Sequence, residues 1–278
     1  MSALRAQHTL PILLQVAGLA RSTFYYQMAA SKAKDRHGEL KASIARIFEQ
    51  HKGRYGYRRI TAVLRRAGVC VNHKRVQRLM AVLNLKSLVR PKRYRSYRGE
   101  VGRVAPNLLQ RQFTATRPNE KWVTDVTEFN VGGKKLYLSP VLDLYNGEII
   151  AWQTSERPDF ALVQGMLDKA LRRLRPGEAP MLHSDQGWAY QMAAYRRKLA
   201  ERGLRQSMSR KGNCLDNATM ESFFGTLKSE CFRLIRFSDL DQLRHAIGEY
   251  IRYYNHDRIK LKLKGLSPVQ YRTQPLAA

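Results

Sequence analysis

The chain has 278 residues, with 50 Lys and Arg against 22 Asp and Glu, a formal net charge of +28. That excess points to a polyanionic partner, most commonly nucleic acid, while a 44% hydrophobic content with three Trp and fourteen Tyr excludes a wholly disordered basic tail. Cys70, Cys214 and Cys231 form no C-x-x-C pair, which excludes a disulfide framework and a structural zinc site and fits a reducing cytoplasm; no run approaches the ~20 apolar residues of a membrane span.

Residues 1–35 read as a small helix-turn-helix-like segment of two short helices. Gly18 stands at the break and Ser22 is placed to cap a helix over 23–28. The apolar run from Leu10 to Ala20 is interrupted by Gln15 and ended by Arg21, so it fits one helix face better than a signal-peptide core.

Residues 36–88 have a clearer helical period. Leu40, Ile44, Ile47 and Phe48 make one apolar stripe; Ile60, Val63 and Leu64 make a second, ended by Gly68. Asn72 is placed to cap a third helix with a buried face of Val76, Leu79, Met80 and Leu83. Its opposite face carries His73, Lys74, Arg75, Gln77 and Arg78. A helix-turn-helix unit lays such a face in the DNA major groove. The preceding turn, GRYGYRR, adds Arg54, Arg58 and Arg59 as candidate phosphate contacts. Residues 89–115 read as a basic linker. From Lys86 to Arg98 there are six Lys or Arg and no acid, with Tyr94 and Tyr97 interleaved. Lys92, Arg93 and Arg95 would track a phosphate backbone; a flexible tether is the plainer reading of the same residues.

Beyond Arg117 the period becomes extended. Lys121 to Val131, Lys135 to Tyr145 and Glu148 to Thr154 read as three strands, with Gly132-Gly133 and Asn146-Gly147 as tight turns between them. A helix over 160–174, a strand over 180–184, a helix over 189–201, a strand over 204–208 and a helix over 217–231 follow. The order predicts an α/β domain over 116–278, with a mixed five-stranded, ribonuclease-H-like sheet and a C-terminal helical extension.

Three acids in this domain suit metal-dependent phosphoryl transfer, because hard carboxylate ligands hold magnesium and a metal pair can stabilise both the attacking and the leaving oxygen. Asp125 lies within the first strand, Asp185 just past the fourth, and Glu221 in the first turns of a helix. Asp185 and Glu221 have 35 residues between them, and Lys228 follows Glu221 by two helical turns on the same face. Any one of these acids would more often be a cap or a surface charge, as Glu128, Asp143 and Asp216 are read here; the joint pattern singles out the triad. Asp216 or Asn217 is placed to cap the helix bearing Glu221, and His183 reads as a packed strand residue. No P-loop, G-x-S-x-G elbow or H-E-x-x-H helix is present.

KWVTDVTEF around Asp125, LHSDQGWAY around Asp185, SMSRKGNCLDNATMESFFGTLKSE around Glu221 and Lys228, YYNHDRIKLKLKGLSPVQYR from Tyr253 to Arg272, and GRYGYRRI from Gly53 to Ile60 carry a resemblance. Together they resemble the second-reading-frame (OrfB) products of bacterial insertion sequences, relatives of retroviral integrases with a D, D, 35-spaced E triad. The resemblance implies a DNA transposase of the copy-out, paste-in type. It implies that Asp125, Asp185 and Glu221 are catalytic and hold two magnesium ions, or manganese, and that Lys228 contacts DNA. It also implies terminal inverted repeats and target DNA as substrates, a homo-oligomer on DNA, and the upstream-frame (OrfA) product as a partner or as the front of a longer fusion. The paired His and Cys of the retroviral zinc module are not found, which places the resemblance with the bacterial branch. A structure-selective nuclease with the same site, and a DNA-binding regulator with an inactive core, are the rival readings.

Overall fold

The computed structural model describes residues 2–32, 37–88, 105–210 and 214–274. The chain divides into two compact units, Met1–Arg46 and Ile47–Ala278. The first contains a 3-10 turn at Ser2–Ala6, helices α1 (Leu10–Ala17) and α2 (Arg21–Lys32), and most of α3 (Gly38–Gln50). Gly18 ends α1 in the left-handed region, at φ 61°. Leu13, Leu14, Phe24 and Ile44 are buried. The Phe24 amide already bonds the Ala20 carbonyl, so α2 begins at Arg21 and Ser22 lies in its first turn rather than capping it.

The second unit opens with the last residues of α3, followed by α4 (Tyr57–Arg66) and α5 (His73–Val82). The Asn72 side chain accepts from the Lys74 amide at 2.9 Å and caps α5 as expected. Val76, Leu79 and Met80 are buried, Leu83 is half-buried just past the helix end, and His73, Lys74, Arg75, Gln77 and Arg78 are all exposed. The candidate contacts Lys92, Arg93 and Arg95 lie outside the described residues.

The sheet consists of β1 (Lys121–Thr124), β2 (Thr127–Val131), β3 (Lys134–Asp143), β4 (Ile149–Ser155), β5 (Met181–Ser184) and β6 (Arg205–Met208). Thr124 pairs with Val141 of β3 and Thr127 with Leu138, so the register is unbroken across Asp125 and Val126. β1 and β2 are therefore one strand with a two-residue interruption, and the sheet has the five expected strands, ordered β4, β3, β1–β2, β5, β6. The cause lies on the neighbouring strand. Continuing the register sets Asp125 opposite Pro140, which has no N–H to offer the ladder. The Thr124 hydroxyl donates to the Pro140 carbonyl at 2.9 Å instead.

Gly132 and Gly133, at φ 56° and 85°, make the tight β2–β3 hairpin. The β3–β4 turn is wider than the expected two-residue hairpin. The Asp143 amide bonds the Glu148 carbonyl across a four-residue loop, and a register shift at Val141/Leu142 twists the strand before it. β5 and β6 run parallel to β1, as crossover helices require.

Side chains alternate across the strands into two cores. Val123, Phe129, Leu136 and Leu138 pack against α9 (Ala218–Leu227) and α10 (Leu240–His256). Trp122, Val141 and Leu182 pack against α6 (Phe160–Leu171) and α8 (Ala193–Glu201), with the short α7 (Trp188–Gln191) beside them. Past Leu227 the chain continues through a π-turn at Lys228–Phe232, so the expected helix over 217–231 is regular only to Leu227. A last helix, α11 (Pro268–Arg272), is opened by a Ser267/Gln270 capping box at its N-terminus. No helix among the described residues is long and apolar enough to cross a membrane. A mixed sheet between two helical layers, preceded by helical DNA-binding-type modules, is the ribonuclease-H-like architecture expected from the strand order.

Candidate active site

β1 and β5 are parallel neighbours with Val123 beside His183; two residues further on, the same offset sets Asp125 beside Asp185. Both carboxylates therefore leave the sheet at one end. Asp125 occupies the interruption between β1 and β2, where its Oδ1 accepts from the Val126 amide at 2.7 Å. Asp185 follows β5, and its Oδ1 accepts from the Gly187 amide at 2.9 Å. Glycine is needed there: a Cβ at position 187 would stand 2.9 Å from that oxygen. The Asp185–Gly187 pair was a local signal in the sequence that charge and spacing alone overlooked.

Glu221 sits in the first turn of α9, which packs on β1. Its charge and that of Asp185 both act on Asp125. Asp125 keeps some open surface but is enclosed by protein. Burial first, then the Asp185 and Glu221 charges, push its carboxyl well above the ordinary range, against the Val126 amide and Lys228. Burial also raises Asp185. Lys228, on the π-turn, lies 5.3 Å above the Phe129 ring and feels the charges of Glu128 and Asp125. Burial pulls its ammonium below the ordinary lysine range.

Asp125, repelled by the Asp185 and Glu221 carboxylates, is a hard oxygen donor whose repulsion a divalent cation would convert to attraction. Tyr190 adds a second sign. It is fully enclosed beside Thr124, within reach of the charges of Asp125 and Asp185, and its hydroxyl makes no hydrogen bond of good geometry. No three His, Cys, Asp or Glu side chains among the described residues stand close enough together to hold a metal ion.

The other acids have structural partners. Asp143 is buried, accepts from the Asn119 and Tyr145 amides, and pairs with Arg272 at 3.1 Å. Glu128 pairs with Lys135 on the surface. Asp216 caps nothing: it accepts from Arg210, Arg111 and Asn107, and the Arg210 hydrogen bond in particular holds its carboxyl well below the ordinary range. Asn217 precedes α9 without a side-chain capping bond. His183 is fully buried between the Ser207 and Ser209 hydroxyls, and burial lowers its pKa to about 4, the packed role expected of it.

The basic residues divide. His73, Lys74, Arg75 and Arg78 on α5, with the neutral Gln77 among them, and Arg58 are exposed. Arg54 is not, which corrects its assignment as a phosphate contact. Its Nε donates to the Glu230 carbonyl at 2.9 Å, and its guanidinium lies 4.6 Å over Tyr253 and 5.4 Å over Tyr250. Arg59 is turned to the same acid, 3.5 Å from Glu230 Oε1. Arg258 makes a bidentate pair with the Glu230 carboxylate at 2.7 and 2.8 Å, and the Tyr250 hydroxyl donates to it at 2.9 Å. Glu230 thus ties the turn before α4 to the chain just past α9. Sequence reasoning missed it, although the LKSE of the α9 motif contains it.

Comparison with known proteins agrees with this architecture. Residues 115–214 and 221–276 match integrase core domain models, and 34–93 an HTH-like domain model. A putative transposase for insertion element IS150 of Escherichia coli K12 is 58% identical over 274 residues, 99% of this chain and 97% of that protein. A probable transposase for IS1353 of Shigella flexneri is 42% identical over 98% of this chain and 54% of its own length. The IS3A transposase of E. coli K12 is 34% identical over 98% and 97%. In fold, the chain resembles a simian T-cell lymphotropic virus intasome structure at TM-score 0.51 and 17% identity, over 84% of this chain and 76% of that one. With its helix-turn-helix region and integrase core, the chain belongs to the IS3-family insertion-sequence transposases of the OrfB type, DDE polynucleotidyl transferases.

Proposed function

We propose that this transposase cleaves one strand at each element end and joins the freed 3′-hydroxyl to DNA, in the copy-out, paste-in manner, with Asp125, Asp185 and Glu221 as its catalytic acids. The observation that carries the reading is the parallel β1–β5 register that sets Asp125 beside Asp185, with α9, which carries Glu221, packed on β1. Asp125 and Asp185, anchored by backbone amides, and Glu221, on the rim of α9, would hold two divalent ions, magnesium or manganese. Bound there, the ions would supply the positive charge that stabilises the attacking and leaving oxygens of an in-line phosphoryl transfer. Lys228 would place a phosphate against the acids, and the exposed face of α5, with Arg58, would take the duplex of the terminal repeat in its major groove. Terminal inverted repeats and target DNA are the substrates of this reading. A homo-oligomer would hold two ends together, with the upstream-frame product as a further partner.

The test is a labelled element end incubated with the purified chain and magnesium. Nicked and joined products are expected, and Asp125→Asn should abolish both. Joining that is unchanged in that variant would overturn the assignment, and hydrolysed ends without joined strands would favour a nuclease.

A further inference from the structure

One residue round α9 from Glu221, Ser222 and Thr226 border an open groove of about 740 Å³. Its other walls come from α4, the β3–β4 loop, the chain after α10, and α11. Four cations line it, Arg59, Arg258, Lys260 and Lys262, and no acidic side chain does among the described residues. Glu230, buried behind two of them, pairs with Arg258 and Arg59 and so offsets one positive charge. The Lys260 ammonium meets the Gly147 carbonyl at 3.0 Å and the face of Tyr254 at 4.5 Å, and among the described residues no acid pairs with it. Burial, followed by the charges of Arg258, Lys262 and Arg59, pushes it well below the ordinary lysine range. The fold has thus gathered positive charge without neutralising it, a state that a bound anion relieves.

Aromatic surface accompanies the charge. Tyr145 and Tyr271 also line the groove, half-buried, with ring centroids 5.5 Å apart and planes tilted by 48°. A basic groove with partly open aromatic rings suits a ligand that has both phosphates and free base faces. In a duplex those faces are covered by the neighbouring base pairs; in an unpaired strand they are open.

We propose that this groove, bordered by Ser222 and Thr226 of α9, binds an unpaired DNA strand, with Lys260 and Lys262 toward its phosphates and Tyr145 and Tyr271 toward its bases. The proposal rests on the functional reading above and specifies the state of the DNA that the integrase core holds away from the α5 face.

It is tested by fluorescence anisotropy on the full-length Asp125→Asn chain, which cannot cleave its probe, with a short oligothymidine and a duplex of equal length over a range of salt. Adding Lys260→Gln with Lys262→Gln should weaken oligothymidine binding about tenfold and lower its log–log salt slope by about 1.4, or ~0.7 per lost phosphate contact. Duplex affinity should change less than about threefold, because the exposed α5 face carries it. Adding Tyr145→Leu instead should weaken oligothymidine binding about tenfold at an unchanged slope, since stacking releases no counterion. Unchanged oligothymidine binding, or equal losses for duplex and single strand, would overturn the proposal. If the paired lysine variant melts early, exposed Lys262→Gln alone decides, with an expected slope change of ~0.7. The assay reads binding alone, so loss of strand joining would count against the catalytic reading and not against this groove.

Discussion

Two acid-bearing clusters flank α9, and their electrostatics are opposite. At its start the charges of Glu221 and Asp185 both act on Asp125, which burial first and then these carboxylates drive well above its ordinary pKa. Just past its end Glu230 is enclosed by Arg258, Arg59 and the Tyr250 hydroxyl; these outweigh burial and hold its carboxyl below the ordinary range. An acid that burial and neighbouring carboxylates raise, as they raise Asp125, suits an external cation. Acids that the fold compensates are scaffold. The same distinction separates the unneutralised Lys260 from the buried, partnered Arg54.

The contrast breaks first in catalysis. Asp125→Asn should cut strand cleavage and joining by at least about 10³-fold, since the lost charge belongs to the proposed metal-holding set, while its melting temperature in metal-free buffer should stay level or rise by a few degrees. A substantial fall in melting temperature would place Asp125 with the scaffold acids. Glu230→Gln should behave in the reverse way. It leaves Arg258 buried without its counter-charge, at a cost of roughly 3–5 kcal/mol measured by chemical denaturation; a loss below about 1 kcal/mol would mean that Glu230 is not a structural centre.

A smaller effect is expected from pH. Glu230 has a folded pKa below its unfolded one, so its contribution is present above the ordinary glutamate range and is lost as pH falls through the depressed folded value. His51, packed on Tyr55 and beside Tyr253, is lowered by burial from 6.5 to about 4. The unfolded chain therefore takes up its proton first, and His51 costs stability as pH falls from 6.5 toward 4. The melting temperature should drop across that window, and less so in His51→Gln. The smallest stability effect belongs to the exposed α5 face. Lys74, Arg75 and Arg78 changed together to Gln should alter stability by no more than about 0.5 kcal/mol, yet lower the salt slope of duplex binding by up to about 0.9 per lost contact.

Much of the fold was legible because its signals are local. The Gly132-Gly133 turn, the Asn72 cap and the strand periods rest on neighbouring residues, and the acid spacing needed only the order of strands and helices. What escaped depends on residues far apart in the chain. Asp125 sits in a break because Pro140 lies across from it on β3, a pairing no single segment reveals. Arg54 looked like a phosphate contact because GRYGYRR is basic, but its burial depends on Tyr250, Tyr253 and the Glu230 carbonyl nearly 200 residues away. Asp216 looked like a helix cap until Arg210 and Arg111 were seen to claim both its oxygens.

Manganese titration of the chain, followed by thermal melting, goes straight to the proposal that Asp125, Asp185 and Glu221 hold an exchangeable cation. The melting temperature of the parent chain should rise with manganese concentration, and that rise should vanish in Asp125→Asn. An identical rise in both proteins, or none in the parent at millimolar manganese, would contradict it.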